Sequence, residues 1–443
     1  MKKRWVALIL VLVFVGALLS GCNGSGSQSG DSSSPSSDSV LPSGDSAAPG
    51  GDAAANDRPA DYDTKTHINI GMPRPISGMY EVFEQTVFGP IWRMWRDEIN
   101  ADGGIYVAEY GKKLLLDIDV QDDMSDLDTV VRLSEKFMTE DHKDFVFPSC
   151  STAILFAQAA VTNQHGYMLF SAEGGAAELG TLADKFPMFF CTANHSVTQV
   201  PAMVDIFIEQ GVKSVYISFL NDLYGVEYSG AAVPALAAAG IEVKGIRSIP
   251  FEMEDFTPIL LEAQASGADA YIQLAYPDQN FPAVGQAMAI GYNPDVMLMG
   301  PGANMDALLW SFGDAANGIM GFGGWNAKST PAAAEYVDKI HAYDPSVGID
   351  WWGMICYYTM LQIWQQAVEG AGTLDNAAVA AYMHANRFET IMGTVWFDGN
   401  EFAAECFLGN IGQWQNGVYE VIDVTPGRRT ADPIVPKPPW PAP

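Results

Sequence analysis

Residues 145–175, with the sequence FVFPSCSTAILFAQAAVTNQHGYMLFSAEGG, decide the fold of this chain. The short, mainly apolar run at residues 144–148 contains a β-branched valine and suits a buried strand of a parallel sheet. Residues 153–164 carry apolar side chains at helical spacing. Residues 167–171 are typical of a second strand, so the stretch predicts a β-α-β unit.

Polar residues follow both predicted strands of this unit. Ser149, Ser151 and Thr152 stand where the helix begins, and Glu173 and Gly174 follow the second strand in a flexible turn. Ligands of open parallel sheets bind at the carboxyl ends of the strands, and a helix N-terminus favours an anionic group such as a carboxylate. A second interpretation is that the serines only cap the helix, and the stretch alone leaves both interpretations open.

The composition sets limits on size and partners. The chain has 443 residues, of which 48% are hydrophobic, and a formal net charge of −30 from 23 basic and 53 acidic residues. The length suggests two or three structural units. The acidic balance argues against a nucleic-acid partner and against a polybasic membrane-surface protein, because both need a basic face.

The first residues are typical of a secretory signal. Lys2, Lys3 and Arg4 precede an apolar stretch at residues 5–19, which is shorter than the roughly 20 residues of a spanning helix. The stretch ends in Leu-Ser-Gly-Cys, which resembles the lipobox of bacterial lipoproteins. The resemblance implies a signal peptide at residues 1–21 and a lipid anchor on Cys22. The alternative is an ordinary signal peptide with an incidental cysteine.

Two further segments have compositions that disfavour a packed core. Residues 22–65 are rich in Ser, Gly, Ala, Pro and Asp, and we expect a flexible linker. Residues 426–443 are expected to form a proline-rich tail that is extended along the surface or disordered. Between them, strand and helix patterns alternate over some 250 residues, which favours doubly wound parallel sheets.

An ordered set of short motifs resembles the branched-chain amino-acid and amide solute-binding proteins of ATP-binding-cassette (ABC) importers. The resemblance covers residues 66–425, and each motif is weak alone, whereas the ordered set is specific. The motifs are INIGM (68–72), PISG (75–78), EINADGGI (98–105), DD (122–123), SCST (149–152), DLYG (222–225), DFT (255–257), MGP (299–301), MGTVWFD (392–398) and QW (413–414).

The resemblance implies an α/β fold of two doubly wound parallel-sheet lobes joined by three hinge crossings, the type I periplasmic binding protein fold. Lobe one would comprise residues 66–195 and 324–408, and lobe two residues 196–323 and 409–425. Ligand would be enclosed between the lobes by a hinge motion. The implied function is that of an extracytoplasmic solute-binding lipoprotein, a monomer that delivers its ligand to the permease subunits of an ABC importer.

The resemblance also implies ligand contacts, position by position. Ser151 matches the hydroxyl that binds the ligand carboxylate, and Gly302 stands where amino-acid binders commonly carry a carboxylate for the ammonium group. Trp351 or Trp352 falls near a further ligand-facing aromatic residue. The expected ligand-binding set is Phe83, Ser151, Thr152, Glu173, Gly174, Tyr224, Tyr276, Gly302 and Trp352.

Glu173 has two interpretations. It can pair with a ligand cation or N–H donor inside an aromatic enclosure, supplying the charge that is missing at Gly302. Alternatively it points to solvent or binds backbone N–H groups of its own turn. The first interpretation predicts an amine, an amide or a modified amino acid as the ligand.

Two other functions are consistent with the sequence. One is a sensory module that reports ligand occupancy to a membrane receptor. The other is an extracytoplasmic hydrolase that uses Glu173 with Asp122 or Asp123. We expect a binding protein rather than an enzyme, with no cofactor and no metal, because the six histidines lack zinc-ligand spacing and no phosphate-cradling glycine motif is present.

The cysteines other than Cys22 are even in number. Cys150, Cys191, Cys356 and Cys406 would be exposed to a disulfide-permissive compartment. Cys150 and Cys191 belong to strands that are expected to be separated by a third strand. Free buried thiols are therefore the default expectation.

Overall fold

The first lobe is built on two four-stranded sheets whose central strands are parallel. The computed structural model describes residues 58–174, 185–193 and 195–442, without the side chains of residues 351–353. The strands of this lobe are β1 (His67–Arg74), β2 (Ile105–Val107), β3 (Lys112–Asp122), β4 (Phe145–Val146), β5 (Leu169–Ser171), β6 (Phe189–Cys191), β12 (Phe388–Thr390), β13 (Gly393–Val395), β14 (Phe397–Asp398) and β15 (Glu401–Phe402). The sheet orders are β2–β3–β1–β4 and β14–β15–β6–β5, and β12 pairs with β13 alone.

The second lobe has one seven-stranded sheet. Its strands are β7 (Ser214–Leu220), β8 (Glu242–Ile249), β9 (Ala270–Leu274), β10 (Val296–Met299), β11 (Ile319–Phe322), β16 (Ile411–Gln415) and β17 (Val418–Val421), in the order β17–β16–β11–β10–β9–β7–β8. Strands β7 to β11 are parallel, whereas β16 and β17 are antiparallel to their neighbours. The parallel sheets thus carry antiparallel strands at their edges.

The helices cover the faces of these sheets. They are α1 (Glu81–Phe83), α2 (Gly89–Ala101), α3 (Leu127–Thr139), α4 (Thr152–Gln164), α5 (Ser196–Gln210), α6 (Leu223–Ala238), α7 (Thr257–Ser266), α8 (Pro277–Ala289), α9 (Asp306–Phe312), α10 (Pro331–Tyr343), α11 (Tyr358–Ala371) and α12 (Asn376–Ala385). Two π-helical segments, Glu84–Phe88 and Trp351–Tyr357, lead into α2 and α11. No helix in the described part of the chain has the length and apolar character needed to cross a membrane.

Both faces of the second lobe's sheet are buried, as a doubly wound fold requires. Val215 and Ile217 of β7 pack in one apolar cluster, and Tyr216 between them packs in another on the opposite face. Successive strand residues point to opposite faces, so a central strand covered on both sides must be apolar throughout. The first lobe has its own core, in which Trp364 makes edge contacts with Trp95 and Phe145.

Two of the proposed crossings between the lobes are held against each other. The N–H of Gly323 donates to the carbonyl of Asn410 at 2.6 Å, and the N–H of Gly324 donates to the carbonyl of Gly409 at 3.2 Å. A Cβ atom added to Gly409 would lie 2.7 Å from the carbonyl oxygen of Gly324, so this approach needs glycine. At the remaining crossing, Asn194 lies outside the described residues and His195 is buried. The domain boundaries themselves stay a prediction.

The two ends of the described chain contact different lobes. Tyr62 stacks on Tyr110, and Lys65 forms an ion pair of 2.6 Å with Asp144, so contacts with the folded body begin before the proposed end of the linker at residue 65. At the other end, residues 433–442 run along the second lobe, where Trp440 donates from Nε1 to the carbonyl of Tyr292 at 2.9 Å and the backbone of Lys437 binds that of Asp295. The predicted signal peptide, Cys22 and residues 23–57 lie outside the described residues.

Candidate functional site

Two sheet edges supply the candidate site. In the first lobe, Arg74 is the last residue of β1, and Asp123, residues 149–152 and Glu173 follow β3, β4 and β5. In the second lobe, β7, β9 and β10 are followed by Asp222, Tyr276 and residues 300–302. These are the carboxyl ends of parallel strands, where open α/β sheets bind ligands.

An aromatic group joins the two edges. Tyr276 of the second lobe lies 6.3 Å from Tyr80 and 6.4 Å from Phe83 of the first lobe, measured between ring centroids, and both contacts are edge-to-face. The Tyr276 ring also lies 5.5 Å from Tyr224, and its hydroxyl donates to Asp222 at 3.0 Å. The structure therefore brings three predicted ligand residues, Phe83, Tyr224 and Tyr276, into one cluster between the lobes.

A recess opens beside this cluster. Its volume is about 290 Å³, counting the space that is open to solvent. Apolar side chains form most of its wall, and polar groups stand at one end. The lining residues are Met79, Tyr80, Val82, Phe83, Phe251, Tyr276, Pro277, Asp278 and Gln279. A wall of this kind suits a small ligand with an apolar or aromatic body.

Ser151 occupies a strained position at the start of α4. Its φ is +100° and its ψ is 150°, a region that is nearly exclusive to glycine. Its side chain accepts from the N–H of Ile154 at 3.4 Å and also contacts the hydroxyl of Tyr80. Thr152, the first residue of α4, is buried. Ser151 is thus a helix cap, and its contact with ligand stays a prediction.

The other residues of this edge are bound to each other. The Ser149 hydroxyl donates to Asp123 at 2.5 Å, and Asp123 also accepts from the N–H of Ser125. Burial raises the pKa of Asp123. Asp122 accepts from the backbone and the hydroxyl of Ser77. Both aspartates thus hold loops in place, which leaves the hydrolase interpretation without a favouring observation.

Glu173 is paired inside the protein. Arg74 Nη1 donates to Glu173 Oε1 at 2.6 Å and to the carbonyl of Pro148 at 3.0 Å, while Arg74 Nε donates to Glu84 Oε2 at 2.6 Å. Trp92 Nε1 donates to Glu84 Oε1 at 3.1 Å. All three charged side chains are buried. Neither alternative for Glu173 included this buried pair, which links residues 99 positions apart.

The pKa values of Arg74 and Glu173 are both raised. Burial lowers the pKa of Arg74, but Glu173 and Glu84 more than offset this effect and raise it, so the guanidinium stays charged. Burial raises the pKa of Glu173 to about 7 although Arg74 opposes the shift. Both carboxylates therefore pair with Arg74, and the guanidinium of Arg93 also lies 3.8 Å from Glu84 Oε1.

Gly302, Gly174 and Trp352 complete the predicted set of ligand-binding residues. Gly302 has a φ of +100°, and a Cβ there would lie 2.9 Å from Cγ of Pro277, so no acidic side chain fits at this position. Gly174 is buried and directs its carbonyl towards Cys191 Sγ at 4.0 Å. Trp352 lies in the π-helical segment Trp351–Tyr357, and its side chain is outside the described part of the structure.

Sequence reasoning missed Arg74, Glu84 and Tyr80. A signal was present for Arg74, because a charged residue at the end of a strand whose last five residues are buried needs a buried partner. The four cysteines of the described residues, Cys150, Cys191, Cys356 and Cys406, are free and buried. The described residues contain no group of three or more His, Cys, Asp or Glu side chains placed to hold a metal ion.

The sequence profile of the periplasmic binding protein family matches residues 67–417. The chain belongs to this family. It is 26% identical over 306 residues to the Leu/Ile/Val-binding protein of Escherichia coli K12, covering 68% of this chain and 78% of the relative. It is 25% identical over 311 residues to the leucine-, isoleucine-, valine-, threonine- and alanine-binding protein of Pseudomonas aeruginosa, with the same coverage.

Solved structures share the fold. A solute-binding protein of an ABC transporter from Rhodopseudomonas palustris, in complex with 3,4-dihydroxybenzoic acid, matches with a TM-score of 0.69 and 17% identity over 84% of this chain and 98% of that one. A branched-chain amino-acid transporter binding protein from Streptococcus pneumoniae, in complex with isoleucine, has a TM-score of 0.67 and 18% identity over 80% and 98%. The predicted type I fold is confirmed. The chain is an extracytoplasmic solute-binding protein rather than an enzyme.

Proposed function

We propose that this protein is the lipid-anchored solute-binding component of an ABC importer. It encloses a small amino-acid-like, amide or amine ligand between its lobes and delivers the ligand to the permease. The observation that carries the proposal is the contact of Tyr276 with Tyr80 and Phe83, which places one aromatic cluster across two sheet edges. An aromatic wall that is complete only when the lobes meet couples ligand binding to closure.

The ligand class is drawn from the polar groups of the site. Related folds hold an aromatic acid in one protein and isoleucine in another, so the fold does not select the ligand. Here Gly302 leaves no room for an acidic side chain, whereas Glu173 supplies a buried carboxylate at the opposite edge. A ligand with an N–H donor compensates that carboxylate better than an additional anion does.

Thermal-shift screening tests the binding function. The full-length protein is melted with amino acids, amides, amines and aromatic acids, because a ligand that binds only the native state raises the melting temperature. We expect a shift with at least one amide, amine or amino-acid-like compound. Small-angle scattering with that ligand should show a smaller radius of gyration. Failure of every compound to shift the melting temperature, or no compaction at saturation, contradicts the proposal.

The anchor and the partners are tested separately. Cys22→Ala should release the protein from the membrane fraction, whereas a neighbouring Ser20→Ala exchange, which keeps a small residue, should not. A Cys22→Ala protein that stays bound with an intact N-terminus contradicts the anchor. Sedimentation of the detergent-solubilised protein tests the expected monomer, and ligand-dependent co-purification with permease subunits tests delivery.

A further inference from the structure

Three unpartnered polar atoms lie together in the first lobe. Arg74 Nη2, Glu173 Oε2 and the hydroxyl of Tyr357 are buried, and none has a hydrogen-bond partner among the residues that the structure describes. The Arg74 guanidinium carbon lies 5.8 Å from the centre of the Tyr357 ring, and Arg74 binds Glu173 directly. Leaving such atoms unpaired costs free energy, so three of them in one place require an explanation.

The rest of the charged group is satisfied. Glu84 accepts from Arg74 Nε and Trp92 Nε1, one bond to each oxygen. The missing interactions therefore fall on Arg74 Nη2, Glu173 Oε2 and the Tyr357 hydroxyl. These atoms provide one free donor on Arg74, one free acceptor on Glu173 and a hydroxyl that can do either.

A chain of contacts connects the unpaired atoms with the recess between the lobes. Tyr80 lines the recess between the lobes and contacts the side chain of Ser151. The N–H of Ser151 in turn donates to the backbone carbonyl of Glu173 at 3.1 Å. Arg74 is the last residue of β1, and Glu173 follows β5. To reach the three atoms, the end of a ligand would have to pass beyond the recess, between the loops at these strand ends.

We propose that Arg74, Glu173 and Tyr357 form a head-group subsite for a carboxamide, that is, for a ligand end with an N–H donor beside a carbonyl acceptor. This inference rests on the proposed function. The amide N–H would donate to Glu173 Oε2 and the amide carbonyl would accept from Arg74 Nη2. A carboxylate would add a further negative charge to the two carboxylates that pair with Arg74, and an ammonium group would leave Arg74 Nη2 unpaired.

Two matched ligand trios test the subsite by titration calorimetry on the detergent-solubilised, full-length protein. One trio is phenylacetamide, phenylacetate and phenethylamine, and the other is isovaleramide, isovalerate and isopentylamine. Within at least one trio we expect the amide to bind at least tenfold more tightly than the acid and the amine. Equal affinities, a preference for the acid or the amine, or no binding by any of the six compounds overturns the subsite. The proposed function is judged by the broader screen and can survive that result.

Variants assign the effect to the named atoms. Glu173→Gln replaces an acceptor by an amide that can donate, so we expect the preferred amide to weaken at least tenfold and the matching acid to gain. Tyr357→Phe should weaken the amide severalfold. Tyr336→Phe is the matched control, because its hydroxyl is also buried and unpartnered but belongs elsewhere in the first lobe's core. If Tyr357→Phe and Tyr336→Phe change amide affinity equally, or if Glu173→Gln leaves the amide-to-acid ratio unchanged, the assignment is wrong. Melting curves of each variant confirm that it is folded.

Discussion

Ser151 combines a strained backbone with a hydroxyl at the ligand edge, and a pair of substitutions separates the two. Its φ of +100° and ψ of 150° favour glycine, while its side chain caps α4. Ser151→Ala removes the hydroxyl and keeps the strain. Ser151→Gly removes the hydroxyl and relieves the strain as well.

The structure sets the expected magnitudes. Loss of the cap should cost about 0.5–1 kcal/mol in the alanine variant, because the bond to Ile154 is long at 3.4 Å. Relief of strain should raise the free energy of unfolding of the glycine variant by about 1–3 kcal/mol. The greater freedom of glycine in the unfolded chain lowers it by about 0.5–1 kcal/mol. From the middle of these two ranges, we therefore expect Ser151→Gly to exceed Ser151→Ala by about 1 kcal/mol in the free energy of unfolding.

Urea unfolding without ligand measures the free energy of unfolding of each variant. Calorimetry with a ligand from the screen measures its ligand affinity. Both variants lack the hydroxyl, so both should lose the same affinity, about 1–3 kcal/mol if the hydroxyl binds a charged group of the ligand. Equal stabilities of the two variants would refute the strain argument. Unchanged affinity in both would leave Ser151 as a helix cap and nothing more.

Three other predictions follow from contacts of the same body. Burial raises the folded-state pKa of Glu173 from 4.5 to about 7, so its contribution to stability is full below about pH 4.5 and declines as the pH rises through about 7. The free energy of unfolding of wild type relative to Glu173→Gln should therefore fall by on the order of 3 kcal/mol over that range. A difference that does not change with pH in urea titrations would contradict the shift. Tyr276→Ala should abolish ligand-induced compaction in small-angle scattering while Tyr276→Phe retains it, and identical behaviour of the two would remove the ring from the closure mechanism. Trp440→Ala should lower the free energy of unfolding by about 1–2 kcal/mol without changing ligand affinity, and an unchanged urea midpoint would show that the tail contributes no stability.

Elements governed by local pattern were predictable. The helix predicted at residues 153–164 is helix α4, Thr152–Gln164, in the structure, because apolar spacing and capping residues act within a few positions. The strands predicted at residues 144–148 and 167–171 are shorter in the structure, at Phe145–Val146 and Leu169–Ser171, since the extent of a strand depends on the partner strand with which it pairs. The π-helical segments carry no distinguishing local signal, so a pattern of apolar residues could not separate them from α-helix.

Residues of the candidate site could be proposed from the sequence only where the family resemblance supplied a matching position. The aromatic residues Phe83, Tyr224 and Tyr276 lie in one cluster in the structure, and their contact with ligand stays a prediction. The buried group around Arg74 was not foreseen, because its members come from separate strand ends and pair only in the folded protein. No periodicity joins Arg74 to Glu173, and the pairing depends on how strands of two different sheets are arranged in the folded protein.

The attachment of the two described ends to different lobes has a practical consequence. Tyr62 and Lys65 are held on the first lobe, whereas Lys437 and Trp440 are held on the second. Fluorophores placed at these ends would move with their own lobes rather than with loose chain, so energy transfer between them would read out the angle of the cleft.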